Sequence, residues 1–165
     1  RKYEHNQEGY LKKMFDLLRV YSANPIIDQL KLWDICVFNY LVGNTDGHIK
    51  NFSLLYGKDL KTVRLAPAYD IVSTAVYENC TKEMAFSIGG NYALDKIDYR
   101  SFEREAKESV IGIKVAMKRF NFLASNFTNA LQRSSEYLIE QGFVNAGEIK
   151  ERILKNGGIQ FCKAV

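Results

Sequence analysis

Several features that announce common protein classes are missing from this 165-residue chain. Its three cysteines, Cys36, Cys80 and Cys162, are far apart and odd in number, with no Cys-x-x-Cys pair and no Cys/His set at zinc spacing. A disulfide scaffold and a structural zinc module are thereby excluded. Free thiols in a reducing compartment fit, so a cytoplasmic location is expected. There is no 18-residue apolar run and no signal or transit peptide, so no membrane partner is expected. Neither Gly-x-Gly-x-x-Gly nor Gly-x4-Gly-Lys-Ser/Thr occurs, so the chain carries no glycine-rich phosphate cradle of its own. Charge of one sign is also scarce. Lys and Arg number 23 against 19 Asp and Glu, a net +4, and the two signs interleave. A solvated mixed surface follows, rather than the dense basic stripe of a general nucleic-acid binder. No internal repeat and no low-complexity linker interrupts the chain.

What is present suffices for one core. Hydrophobic residues make up 47% and aromatics 13%, which at this length predicts a single domain over 1–165. In "GYLKKMFDLLRVYS", 9–22, Leu11, Met14, Leu17, Leu18 and Tyr21 recur at spacings of three and four, the mark of an amphipathic helix. Asn24-Pro25 reads as an N-cap with Pro at the first helical position. Ile26, Leu30, Trp33, Val37 and Leu41 then form one stripe, widened by Ile27 and Phe38, and Gly43 ends the helix. "NFSLLY", 51–56, and "TVRLA", 62–66, are strand-like and joined by a Gly-containing loop, predicting a hairpin. "EMAFSI", 83–88, is a third short strand before Gly89-Gly90. From Asp98 the pattern is helical. Phe102 to Phe120 is broken near Gly112, Leu123 to Leu138 ends near Gly142, and Val144 to Ile153 is stopped by Gly157-Gly158. The expected fold is mainly α with a small antiparallel β hairpin.

The stretch "GNTDGHIKN", 43–51, lies between the apolar helix and the hairpin. Asp-Gly between hydrophobic runs is a hairpin signal, yet Asp46, His48, Lys50 and Asn51 crowd into six residues. Phosphoryl transfer needs a carboxylate to accept the proton of the attacking hydroxyl and oxygen ligands for magnesium on the nucleotide. Protein kinases place a metal-binding Asn five residues after the base Asp, and a second metal-binding Asp beyond a short β segment. Asp46 and Asn51 have that spacing. The hairpin follows and leads to Asp70 in "PAYDI", where the returning chain can bring Asp70 to Asn51. His48 and Lys50 are further candidates for phosphate contact. Each has a plain alternative: Asp46-Gly47 as a turn, Asp70 as an N-cap for "IVSTAVY", His48 as a hydrogen-bonded structural residue, Lys50 as a surface charge. The conjunction, in this order, favours a site.

"LVGNTDGHIKNFSLL" followed by "LAPAYDIVST" resembles the catalytic core of HipA-like serine/threonine kinases, the toxin kinases of bacterial toxin–antitoxin modules. The likeness is closest over 33–74 and extends over 1–32, including "KYE" at 2–4, and over 99–155. It implies a protein-kinase-like C-terminal lobe. It implies Asp46 as catalytic base, with His48 and Lys50 as further catalytic or nucleotide-contacting residues. It implies Asn51 and Asp70 as magnesium ligands on ATP, and Asn44 and Thr45 as loop-shaping residues. The implied partners are a protein substrate bearing Ser or Thr, and a helix-turn-helix antitoxin through which DNA would be bound indirectly.

In that family an N-terminal lobe supplies the phosphate loop, the strand Lys and the adenine hinge. That nucleotide-clamping lobe is expected to be absent from these 165 residues, which begin at Arg1 rather than Met. The isolated lobe is accordingly expected to be inactive, since positioning is most of what catalyses phosphoryl transfer. Two other readings remain open. One is a degenerate lobe that serves as a binding module for an antitoxin. The other is a phosphotransferase acting on a lipid or small molecule.

Overall fold

The computed structural model describes residues 2–162. Helices α1 (Tyr10–Tyr21), α2 (Pro25–Val42), α3 (Tyr99–Glu108), α4 (Ile113–Glu140) and α5 (Ala146–Asn156) make up about half of it. Two antiparallel hairpins lie between α2 and α3. In the first, β1 (Leu54–Tyr56) pairs with β2 (Val63–Leu65) in the register Leu54↔Leu65, Leu55↔Arg64 and Tyr56↔Val63. In the second, β3 (Glu83–Ile88) pairs with β4 (Asn91–Ala93). The mainly helical fold with a small hairpin is thus as expected. The second hairpin was not, because Asn91–Ala93 is too short to show a period. Gly89 and Gly90 turn the chain with φ of 54° and 86°.

α2 is the central element. Trp33, Val37, Tyr40 and Leu41 are fully buried on it, Trp33 Nε1 donates to Ala116 O of α4 at 2.8 Å, and Tyr40 Oη donates to Ile97 O at 2.6 Å. Phe102 meets the rings of Trp33, Tyr40 and Phe120, so α2, α3 and α4 share one aromatic core. Part of the expected stripe is displaced. Ile26, Ile27, Leu17 and Tyr21 are exposed, whereas Phe15, Cys36 and Tyr40 are buried. Leu11, Leu18, Trp33, Val37 and Leu41 are buried as expected, and only the edges of the stripes differ, because α1 and α2 are apolar on more than one side and their neighbours choose the face. Asn24 occupies the N-cap position but makes no side-chain cap. Instead Ser22 Oγ accepts from Asn24 N at 3.0 Å and donates to the buried Asp28. Asp28 also accepts from Leu65 N at 2.8 Å, which ties the first hairpin to α2.

The C-terminal helices divide differently from the expectation. The break near Gly112 is present, with Asp98 and Ser101 forming a capping box at the start of α3. The stretches expected as separate helices around Phe120 and Leu123 are one 28-residue helix, α4. No Gly or Pro lies between them, so nothing stops propagation. Among the described residues, no helix is long and apolar enough to cross a membrane.

Candidate functional site

The site begins where α2 stops. Gly43 has φ 74°, and its N–H reaches Tyr40 O at 3.0 Å. A Cβ there would lie 2.7 Å from Ala75 Cβ and 3.0 Å from Gly157 Cα, so the close approach requires glycine. The chain then turns through Asn44 and Thr45, both buried. Asp46-Gly47 is a turn but not a hairpin. A helix precedes it, and a 3-10 turn over Ile49–Asn51 follows.

Segment 70–76 straps back over this loop. Thr45 N donates to Thr74 Oγ1 at 2.8 Å, Ala75 N donates to Gly43 O at 2.9 Å, and Ser73 Oγ donates to Val42 O at 2.6 Å. Asn44 Nδ2 bridges Asn39 Oδ1 at 3.1 Å and Asp70 O at 3.2 Å. These bonds hold Asp70 in the left-handed region, φ 55°, where a non-glycine residue is strained. Tyr69 Oη donates to Lys50 O at 3.1 Å and lies 2.6 Å from Ser53 Oγ, clipping the two arms together from the outside.

The outcome is convergence. Asn51 Nδ2 donates to Asp70 Oδ2, and the pair lines a narrow crevice with Asn39, Asn44, Phe52 and Tyr69. Asp70 is exposed and Asn51 is buried. Asn51 Oδ1 is buried without a hydrogen-bond partner, as is His48 Nδ1. A buried acceptor left unpaired is costly, by about 1–3 kcal/mol, unless a ligand completes it. Asp70 does not cap a helix, since 71–77 contains only the short 3-10 turn Thr74–Val76.

Asp46 stands apart from that pair. Its half-exposed carboxylate accepts from Tyr3 Oη and lies 3.3 Å from Lys2 Nζ. The Tyr3 hydroxyl, with help from Lys2 and the His48 ring, holds the Asp46 carboxyl below the usual aspartate range against the opposing effect of burial. It is therefore ionised at neutral pH. His48 is buried, with its ring edge-on to Tyr3 at 5.6 Å. Lys50 is exposed, and its ammonium makes no ion pair among the described residues. Of the sequence candidates, Asn51 and Asp70 are brought into contact, Asp46 and His48 share Tyr3 as a neighbour, and Lys50 has no ion-pair partner among the described residues. Sequence reasoning missed Tyr3, Lys2, Thr74 and Tyr69 as members of this network. Tyr3 lies 43 residues from Asp46, and nothing local marks that distance. Among the described residues no three His, Cys, Asp or Glu side chains gather as a metal cluster. Asn51 and Asp70 are instead the sparse oxygen pair that suits magnesium held partly by phosphates and water.

A mainly helical lobe with a loop of Asp, His, Lys and Asn at the end of its central helix, and a second Asp returned by a hairpin, defines a protein-kinase-like C-terminal lobe. The family model for the HipA-like C-terminal domain matches residues 1–133, and the chain belongs to that family. It is 36% identical over 148 residues to Y4mE of Sinorhizobium fredii, provisionally named a kinase, covering 87% of this chain and 35% of that protein. It is 25% identical over 150 residues to the serine/threonine-protein kinase toxin HipA of Shewanella oneidensis, covering 85% of this chain and 33% of that protein. The solved structure of HipA from Shewanella oneidensis MR-1 with HipB and operator DNA superposes with a TM-score of 0.76 at 19% identity, over 92% of this chain and 35% of that one. The chain thus spans about a third of the length of these relatives.

Proposed function

We propose that this chain forms the catalytic lobe of a serine/threonine protein kinase that transfers the γ-phosphoryl group of ATP to a protein hydroxyl, as the toxin of a cytoplasmic toxin–antitoxin pair. The observation that carries this reading is the Asn51–Asp70 contact, with the unpaired Asn51 Oδ1 buried beside an exposed carboxylate. Those two oxygens fit magnesium. Magnesium, when bound, neutralises charge developing on the transferred phosphoryl group. In this reading Asn51 and Asp70 hold the metal on the nucleotide, and Asp46, kept ionised, orients the acceptor hydroxyl and takes its proton. His48, with Nδ1 unpaired, and Lys50, whose ammonium makes no ion pair among the described residues, lie on the same loop and would supply contacts to the phosphates. The nucleotide clamp belongs to an N-terminal lobe outside these 165 residues, so the isolated lobe is inactive.

The test is phosphotransfer by the full-length protein. Asp46→Asn and Asp70→Asn are each expected to abolish magnesium–ATP-dependent phosphorylation while leaving the circular dichroism spectrum unchanged. Normal rates after Asp70→Asn would rule the reading out.

A second reading is a lobe that docks a helix-turn-helix antitoxin and reaches DNA only through it. The likeness to a HipA solved with HipB and operator DNA favours it. Partner binding by a full-length protein with no affinity for ATP would select this reading over catalysis.

A further inference from the structure

The N-terminal segment is tied down. Glu4 is buried, and its carboxylate accepts from Tyr10 N at 2.8 Å and from Ser87 N at 2.6 Å, while Glu4 N donates to Ala85 O at 2.9 Å. Further along, Gln7 N donates to Tyr92 Oη at 2.9 Å and Gln7 Nε2 donates to Gly90 O at 3.0 Å. The second hairpin and the start of α1 therefore set where Lys2 and Tyr3 sit. From there Tyr3 Oη donates to Asp46 Oδ1, and Lys2 Nζ lies 3.3 Å from the same oxygen. Lys2 Nζ also lies 4.9 Å from the centroid of the Tyr3 ring. Oδ2 of Asp46 accepts no hydrogen bond among the described residues.

We propose that Tyr3 and Lys2 are positioning residues for phosphoryl transfer, holding Asp46 by Oδ1 so that Oδ2 is presented to the acceptor hydroxyl. The proposal rests on the kinase reading of Asp46. A side chain about half exposed would otherwise sample several rotamers, and a base works only within hydrogen-bond reach of the proton it takes. Two donors on one oxygen fix the carboxylate plane and leave the other oxygen free. The edge-on contact of Tyr3 with His48 holds the same loop from the side. The groups facing Asp46 are thus Lys2, Tyr3 and His48, and Tyr3 and Lys2 both favour its ionised form.

Tyr3→Phe in the full-length protein separates the outcomes, because it keeps the ring against His48 and removes only the hydroxyl. The expected result is a fall in kcat of about tenfold, with KM for ATP and the thermal midpoint unchanged. The acid limb of the pH–rate profile should move to higher pH, since Asp46 loses its principal donor. Lys2→Gln should give a smaller change in the same direction. An unchanged kcat and pH profile in Tyr3→Phe, alongside an inactive Asp46→Asn, would overturn the positioning role and leave the kinase reading standing. A rise in rate would overturn it in favour of a blocking segment. Full activity in Asp46→Asn would remove the kinase reading itself, and the proposal with it.

Discussion

The Asn51 side-chain amide donates to the Asp70 carboxylate across 19 residues of sequence that contain the whole first hairpin. The hairpin is the device that makes this contact. β1 begins at Leu54, shortly after Asn51, β2 returns beside it, and Asp28 on α2 anchors the returning strand through Leu65 N. Strain at Asp70 is borne by bonds to Asn44 and by the strap from Ser73 to Ala75 onto the end of α2.

Replacement of Asn51 by Leu tests the proposed metal pair. Phosphotransfer by the full-length protein is expected to fall on the order of a hundredfold, as for loss of one electrostatic contact in a transition state. Magnesium with a non-hydrolysable ATP analogue should raise the thermal midpoint of the wild type by linkage and leave that of Asn51→Leu nearly unmoved. Differential scanning fluorimetry with and without magnesium measures both.

Gly43→Ala should be among the more damaging single-methyl changes. The added Cβ meets Ala75 and Gly157 at 2.7 and 3.0 Å, and φ of 74° is unfavourable for alanine. A loss of roughly 1–3 kcal/mol in urea unfolding is expected from the backbone conformation and the contact together. Because Ala75 lies in the strap that positions Asp70, activity should fall more than the loss of folded protein explains.

Glu105 makes stability depend on pH. It is buried on α3, accepts from Gly89 N at 2.9 Å and Ser109 Oγ at 2.8 Å, and has Glu4 and Glu108 as like-charged neighbours. Burial pushes its carboxyl above the ordinary glutamate value, only partly offset by those two donors. The native state therefore holds this proton more tightly than the unfolded state does. The sign follows: above the unfolded value of about 4.3, the unfolded chain ionises first and stability falls as pH rises toward the native value. Glu105→Gln should remove that component, so the wild type loses stability relative to the variant across this window. Urea unfolding at a series of pH values gives the difference, and parallel curves would refute it.

The site was legible in proportion to how local it is. Asp46, His48, Lys50 and Asn51 lie within one loop, and their crowding there, read together with the hairpin and Asp70, singled them out. Asp70 was within reach of the same reasoning because the only structure between it and Asn51 is a hairpin whose strands and Gly-containing loop are visible in the residues. Tyr3, Lys2 and Thr74 were not, since their bonds to Asp46 and Thr45 cross 43, 44 and 29 positions (44 being 46 minus 2). The burial of Phe15, Cys36 and Tyr40 in place of Leu17, Tyr21 and Ile26 has a similar origin. A helix that is apolar on two sides has a period that its residues state and an orientation that they do not.

By itself the sequence determined the order of elements, the helix stop at Gly43, and the set of oxygen-bearing side chains that can meet at the end of a hairpin. These follow from local forces: helical periodicity, glycine's freedom, and the short reach of a two-stranded return. Tertiary structure alone decided which oxygen of Asp46 is held, that Asn51 Oδ1 is left unpaired, and that the loop is braced by Thr74 and by the segment before α1. Those outcomes depend on the close approach of groups distant in sequence, and only the packing of α2 against its neighbours brings such groups within hydrogen-bond distance.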